Sequence, residues 1–396
     1  MPEWKNYTIG ELCDTISEKY KRNDDEVILI NTSDVLEGKI LNHEKVKNEN
    51  LKGQFKKTFK KDDILFSEIR PANKRFAYVD FSSTEQYIAS TKLMVLRTKK
   101  EIILPRYLFY ILKSDSMLEK LQHLAETRSG TFPQITFSGE LSNLEVIIPD
   151  FETQLKILRI LDSIEYKIEI NEKINNNLEQ QISSIFVNMF GSAIDSLNNN
   201  DIKLGDLIES IDNRGKTPPL SKEPTFYPII DVKALSGNSR IIDYNNCTKY
   251  VSEEIYKTWF RNGHPTKYDI LISTVGSIAE MKIFLDDIGC IAQNVVGFRT
   301  KGISALYLYQ YLNYIKNDLV TYNIGSVQPS IKVTHIIKHS IYVAPQDKMD
   351  TFDNIAHSIT EKIFANYKEN KRLKEIRDTF LPKLISGELD ISTIKL

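Results

Sequence analysis

The chain repeats itself once, at an offset of about 200 residues, so any fold it adopts has to be built twice. Tyr7-Thr-Ile-Gly-Glu-Leu12 returns as Ile202-Lys-Leu-Gly-Asp-Leu207, and Asp63-Ile-Leu-Phe-Ser67 returns as Asp269-Ile-Leu-Ile-Ser273. Ile88-Ala89 and Ile291-Ala292 follow, then Tyr107-Leu108 and Tyr307-Leu308, each opening a helix-like stretch. Gly130-Thr-Phe-Pro-Gln-Ile135 is answered by Gly325-Ser-Val-Gln-Pro-Ser-Ile331, and the apolar strands leading out of these loops end at Pro149 and Pro345. One match would mean little. Six in the same order are hard to obtain by chance.

Each repeat has two parts. The first is made of short apolar runs such as Ile64-Leu-Phe66, Leu93-Met-Val-Leu96 and Val146-Ile-Ile148, bounded by Gly, Pro, Asn and Asp. Strands with a helix or two, an α+β domain, fit that pattern. The second part, from Glu152 to Phe190, has neither proline nor glycine. Its apolar residues Ile157, Leu161, Ile164, Ile168, Leu178, Ile182, Ile185 and Met189 keep a four-three spacing, with Asn171 and Asn175 at two seam positions. That is a heptad pattern, and Gly191 is expected to stop the helix. The C-terminal part repeats it: Phe352, Ile355 or Ala356, Ile359, Ile363, Asn366, Asn370, Leu373 and Phe380.

A buried asparagine in a helix pair fixes register, because it must find another polar group. Asn171, Asn175, Asn366 and Asn370 are therefore expected to meet in an antiparallel coiled coil, with the two α+β domains related by a pseudo-twofold axis. The expected division is 1–150 for the first domain, 151–192 for a central helical spacer, 193–345 for the second domain and 346–396 for a C-terminal helical spacer. Phe186, Phe190, Phe364 and Tyr367 are expected on an exposed apolar face of the pair.

Of the 396 residues, 41% are hydrophobic and 27% charged, which excludes a disordered chain. No apolar run approaches the roughly 18 residues of a membrane helix. The opening MPEWKNYTIGEL has no basic segment followed by an apolar core, so no secretion signal is expected. Cys13, Cys247 and Cys290 lie far apart without metal spacing, and are expected to be buried thiols in a reducing cytoplasm. The net charge of −1 does not favour a polyanion partner, but the charge is unevenly spread. From Glu44 to Arg75 there are ten basic residues (Lys45, Lys47, Lys52, Lys56, Lys57, Lys60, Lys61, Arg70, Lys74 and Arg75) against five acidic ones.

A helix of roughly 38 residues is about 57 Å long. Domains at its two ends suit a ligand with a repeat of about 34–36 Å, which is double-stranded DNA. Because the two domains differ in residues, the two half-sites should differ too. The loops carry suitable side chains: Ser67, Arg70, Lys74 and Arg75; Arg128, Thr131 and Gln134; Arg214, Lys216 and Thr217; Ser273 and Thr274; Gln293 and Asn294; Ser326, Gln328, Ser330 and Lys332. Arg suits guanine and Gln or Asn suits adenine in the major groove. Lys and Ser would mainly hold phosphates. Each of these is also an ordinary turn residue.

Several motifs resemble those of type I restriction-modification specificity subunits. Pro149-Asp-Phe-Glu-Thr-Gln154 with Ile157, Leu161-Asp-Ser163 and Ile168 resembles the opening of that family's central helical region, and Ile185-Phe-Val-Asn-Met-Phe-Gly191 resembles its end. Leu381-Pro-Lys-Leu-Ile-Ser-Gly-Glu388 is similar to its C-terminal signature, and Arg214-Gly-Lys-Thr-Pro218 to a loop early in its target-recognition domains. The resemblance runs the whole chain. It implies that each domain reads half of an asymmetric bipartite DNA site. It implies also that the helices are a spacer docking two adenine-methyltransferase subunits, and up to two endonuclease/translocase subunits. The specificity subunit itself would have no active site and no cofactor. One departure stands out: Met349-Asp350 occupies the place of Gln154, which would weaken a contact at the helix start.

Enzymatic readings fare poorly. Asp150 with Glu165-Tyr-Lys167 imitates a metal-nuclease pattern, but Glu165 and Lys167 lie within the heptad helix, and the second repeat has Gln346 at the Asp150 position. Gly215-Lys216-Thr217 imitates the end of a phosphate loop, but Ser210 stands where the first glycine is needed, and Pro218-Pro219 blocks the following helix. No adenine-methyltransferase signature is present, which also argues against a piece of a fused restriction-methylation enzyme. The six histidines, His264 and His335 among them, show no metal spacing. The alternative to a DNA reader is a coiled-coil scaffold or adaptor binding protein, in either case in the cytoplasm of a bacterium or archaeon.

Overall fold

Ile64–Ser67 and Ile270–Ser273 are buried at all four positions, as strands covered on both faces must be. Each is central in a four-stranded antiparallel sheet. The first sheet runs Cys13–Ile16, Leu93–Thr98, Ile64–Ser67, Phe76–Tyr78. The second runs Ile208–Ile211, Val295–Thr300, Ile270–Ser273, Met281–Ile283. The computed structural model describes residues 3–49, 51, 53–197 and 202–389, so Lys52 lies outside the described residues. The chain forms two compact units, Met1–Lys167 with Arg372–Leu396, and Ile168–Lys371.

Side chains alternate across a strand, which explains why these runs are apolar throughout. In the first unit Ile64, Phe66, Met94 and Leu96 face a core with Tyr107, Leu108, Leu121, Ile157, Leu161, Leu381 and Leu384. Leu65, Leu93 and Val95 face a second core with Ile28 and Ile30. In the second unit Ile270, Ile272, Val296 and Phe298 face one core, and Leu271 and Val295 the other. Each unit also has a sheet containing one parallel pair, Glu26–Ile30 beside Tyr87–Ser90 and Tyr227–Ile230 beside Cys290–Ile291. The fold is thus a mixed helix-and-strand arrangement made twice.

The repetition reaches single bonds. Asp63 takes two hydrogen bonds from the Arg97 guanidinium, at 2.8 and 2.7 Å, and one from the Lys60 amide at 2.8 Å. Asp269 takes the same set from Arg299, at 3.1 and 2.7 Å, and from the Thr266 amide at 2.7 Å. Asp62 and Tyr268, each just before these aspartates, share a left-handed φ of 73° and 74°.

Two long helices, Phe151–Phe186 and Gln346–Ser386, contribute segments to both units. In the second unit Asn171 Nδ2 donates to Asn370 Oδ1 and to Glu369 Oε2, both at 2.8 Å, and Asn366 Nδ2 donates to Asn175 Oδ1 at 2.8 Å. Partners rise along one helix as they fall along the other. In the same unit Arg240, fully buried, binds Glu179 through its amide and guanidinium at 2.7–3.1 Å and Thr360 Oγ1 at 2.6 Å. In the first unit Arg106 binds Asp162 at 2.6 Å, and Lys113 and Arg377 bind Glu165 at 2.7 and 3.2 Å. Burial alone would raise the Glu165 carboxyl, but these two cations hold its pKa below the usual value.

Several expectations need correction. Gly191 does not stop the helix: its φ is −51°, and the chain continues through Val187–Gly191 and Ser192–Asp195. A Cβ there would come within 3.3 Å of Val187 Cγ1 and 3.4 Å of the Tyr314 hydroxyl, so glycine serves close packing. Phe186, Phe190 and Phe364 are buried and Tyr367 partly buried, because the second unit packs its core around them. Ala356 rather than Ile355 is the buried choice, and Leu381 takes the core place expected of Phe380. Before Pro345 there is only an isolated bridge, Lys203 to Ser340, whereas Glu145–Ile148 is a strand. The departure at Gln154 also has a physical account. Gln154 Oε1 accepts from the Leu104 amide at 2.9 Å, and so closes the start of Pro105–Lys113. The corresponding Ala305–Tyr314 is capped by Ser304 Oγ, and Met349 is free to be a core residue.

Candidate nucleic-acid interface

In each unit the central strand runs into a loop that a second loop clasps. In the first unit Ile69 bridges Gln134, the Arg70 amide donates to the Pro133 carbonyl at 3.1 Å, and the Ile135 amide to the Glu68 carbonyl at 2.8 Å. In the second unit Val275 bridges Ser330, the Gly276 amide donates to the Pro329 carbonyl at 2.9 Å, and the Ile331 amide to the Thr274 carbonyl at 2.8 Å. The same clasp thus brings together the stretches Ser67–Arg75 and Arg128–Gln134 in one unit, and Ser273–Asn294 and Ser326–Lys332 in the other.

Buried hydroxyls shape the clasped loops from within. Ser67 Oγ accepts from the Ile69 amide at 3.0 Å. Ser273 Oγ accepts from the Glu280 amide at 2.8 Å and donates to the Ser277 carbonyl. Thr274 Oγ1 donates to the Asn294 carbonyl at 3.2 Å. All three residues are buried, so they shape the loops and present no free hydroxyl to a ligand.

Around the first clasp much of the basic charge is engaged. Lys74 pairs with Asp115 at 3.0 Å, Arg75 donates to the Ser33 carbonyl at 3.0 Å, and Arg128 reaches both Glu140 oxygens at 3.1 Å. Lys92 lies 3.4 Å from both Glu68 and Gln134. Arg70 and Thr131 are exposed, and Arg70 has no side-chain partner among the described residues. Arg70 and Lys74 take left-handed φ values of 44° and 53°. Such strain in residues with a Cβ concentrates where a loop must hold one shape.

The second clasp borders a cavity of about 220 Å³ lined by Thr217, Gln293, Asn294 and Gln328, four residues singled out in three separate stretches of sequence. Gln293 has a φ of 53°, and its Nε2 donates to Thr217 Oγ1. Lys233 and Lys249 also line this cavity, and no motif marked them. Ser326 and Lys332 are exposed beyond it. A neighbouring cavity of about 430 Å³ is lined by Arg214 and Lys216 together with Trp259, Arg261 and Asn262. The Trp259-Phe-Arg-Asn262 run, an aromatic pair followed by a cation and an amide, was the available signal for that wall. Arg214 is bidentate on Asp212, at 2.8 and 2.6 Å. Burial alone would raise the Asp212 carboxyl, but the guanidinium holds its pKa below the usual value.

These groups are amides, hydroxyls and cations around shallow cavities, and they suit polar edges and phosphates. The three cysteines are free and buried, with thiols that burial pushes up to about 12. Among the described residues no cluster of metal-ligating side chains exists, and no helix is long and apolar enough to cross a membrane.

The family model for the type I restriction modification DNA specificity domain matches residues 1–180 and again 197–376. The chain belongs to that family. It is a specificity subunit of the type I restriction-modification class. It is 32% identical to the type I restriction enzyme HindI specificity subunit of Haemophilus influenzae, over 98% of this chain and 100% of that one. It is 25% identical to the MjaIX specificity subunit of Methanocaldococcus jannaschii, over 74% of this chain and 71% of that one. Its fold is similar to the crystal structure of the type I restriction-modification S subunit of M. genitalium. The TM-score there is 0.55 and the identity 18%, covering 97% of this chain and 96% of that one.

Proposed function

We propose that this specificity subunit reads an asymmetric, two-part sequence in double-stranded DNA, one half through each clasped loop set. One observation carries the reading most: the same hydrogen-bonded loop frame occurs in both units with different exposed side chains on it. A shared frame offers each half-site the same approach, and different side chains make the half-sites different. Arg70, Thr131, Gln134, Gln293, Asn294 and Gln328 are the candidate base readers. Lys74, Arg75, Arg128, Arg214, Lys216, Thr217, Ser326, Ser330 and Lys332 hold backbone, joined by Lys233 and Lys249. Ser67, Ser273 and Thr274 set the loop shapes.

In this reading residues 1–150 and 193–345 are target-recognition domains. Residues 151–192 and 346–396 are the spacer, an antiparallel coiled coil pinned at Asn171, Asn175, Asn366 and Asn370, with a pseudo-twofold relation between the halves. The opposed asparagine partners support that register. The spacer docks two methyltransferase subunits and up to two endonuclease/translocase subunits in the cytoplasm of a bacterium or archaeon, and the chain itself contributes no catalytic group.

The test is a genome-wide methylation map in a methylation-free host expressing the cognate adenine methyltransferase subunit, with and without this chain. A single bipartite motif with an unread spacer, methylated only when the chain is present, is the expected result. No new methylation from a soluble complex would turn the assignment toward a protein-binding scaffold.

A further inference from the structure

The cavity between Asp212–Lys216 and Thr258–Asn262 is preformed. Asn213 Nδ2 donates to the Gly263 carbonyl at 2.9 Å, the Asn262 amide donates to Asn213 Oδ1 at 3.1 Å, and Asn262 Nδ2 donates to the Asp212 carbonyl. These bonds staple the two walls together. Trp259 is half-buried in one wall, seated edge-on against Phe260 at 4.9 Å between centroids. Arg214 spends its charge on Asp212. Lys216 and Arg261 are exposed, with no ion-pair or hydrogen-bond partner among the described residues. Two uncommitted cations of different shape therefore face a rigid cavity with an indole wall.

The loop that forms this cavity continues directly into the next one. Residue 216 lines the first cavity and Thr217 lines the second, where Gln293 holds it. A strand engaged at Gln293, Asn294 and Gln328 is thus led past Lys216 and Arg261. The one carboxylate on this cavity wall that is paired, Asp212, is held by Arg214, and neither Lys216 nor Arg261 is paired with a carboxylate among the described residues to orient it toward a base edge. Cations on a fixed wall without such aim suit the charge of a phosphodiester, and an indole suits the apolar face of a sugar.

We infer that this cavity is a backbone-phosphate seat, in which Lys216 and Arg261 grip the DNA strand beside the half-site read by the second unit, and Trp259 packs on the adjoining sugar. The inference rests on the DNA-reading function proposed above, and adds a positioning contact with no part in base choice.

The test uses the full chain in complex with its methyltransferase subunit. Affinity is measured against salt on one duplex carrying the methylated motif and on one lacking it. Lys216→Ala with Arg261→Ala should weaken both duplexes alike, roughly tenfold near physiological salt. It should also lower the slope of log affinity against log salt by about 2, one unit per lost phosphate contact. The methylated motif should not change. Arg261→Lys should keep most of the slope, and separate Lys216→Gln and Arg261→Gln variants replace the double variant if it does not fold. An unchanged slope, or a motif altered at one position, would overturn the phosphate seat. Gln328→Ala separates the two readings, since it should relax the motif at one position whether or not the seat exists. A wild-type complex without salt-dependent duplex binding would overturn both.

Discussion

At Ile69 the chain bridges to Gln134, and at Val275 it bridges to Ser330, with the flanking backbone bonds in the same places. The side chains differ. The first loop carries Arg70, Lys74 and Arg75, whereas the second, Ser273-Thr-Val-Gly-Ser-Ile-Ala-Glu280, has no cation at all. The second unit takes its positive charge from elsewhere: Lys216 and Arg261 at one cavity, Lys233 and Lys249 at the other. The chain just after Val46–Lys47 and after Tyr250–Val251 diverges too. In the first unit Phe55–Lys57 pairs with Tyr87–Ser90; in the second, Glu253–Thr258 is a helix that leads into Trp259. A frame of backbone bonds and buried aspartates fixes where loops begin and end. It leaves open which stretch supplies the chemistry.

The comparison can be strained first where the units differ most in their hold on the long helices. Arg240 is fully buried against Glu179, whereas the Arg106–Asp162 pair is over a third exposed on both sides. Arg240→Ala should cost about 3–5 kcal/mol, because it leaves Glu179 unpaired in a largely buried site. Arg106→Ala should cost under about 1 kcal/mol. Urea unfolding of the two variants decides it, and equal losses would refute the ranking. Next comes the shared feature. Asp63→Ala and Asp269→Ala each remove a bidentate partner of arginine and a backbone cap, and should cost about 2–3 kcal/mol apiece. Thermal melts that differ greatly between the two would show that the repeated geometry is not repeated energetics. The smaller of the two matched effects belongs to Gly10 and Gly205. A Cβ at Gly10 meets Ser142 at 3.2 Å, and one at Gly205 meets the Ile337 carbonyl at 3.2 Å. Alanine at either should cost about 1 kcal/mol by crowding, with matched shifts in melting temperature.

The sequence made the repeat, the α+β composition and the asparagine positions legible, because each is a periodic or duplicated pattern. Burial on the long helices was less legible. A heptad names a seam, and Phe186 and Phe190 lie beside that seam, where only the packed second unit shows that they are covered. Ser67, Ser273 and Thr274 looked like contacts because a loop serine has the same letter whether its hydroxyl faces solvent or its own backbone. Lys233, Lys249 and Arg261 were missed for the opposite reason. They reach the cavities through chain folding alone, and nothing local distinguishes them from any surface cation.

The composition of the first unit has a consequence for biosynthesis. Residues 372–396 belong to it, and Leu381 and Leu384 fill the core that Leu108, Leu121 and Leu161 began. Those partners leave the ribosome long before, and wait through the synthesis of the entire second unit, which is one continuous stretch. The half translated first is therefore the half completed last. Until the final helix emerges it holds open apolar surface, the condition in which a nascent chain needs shielding and a prematurely ended one is recognised as unfinished.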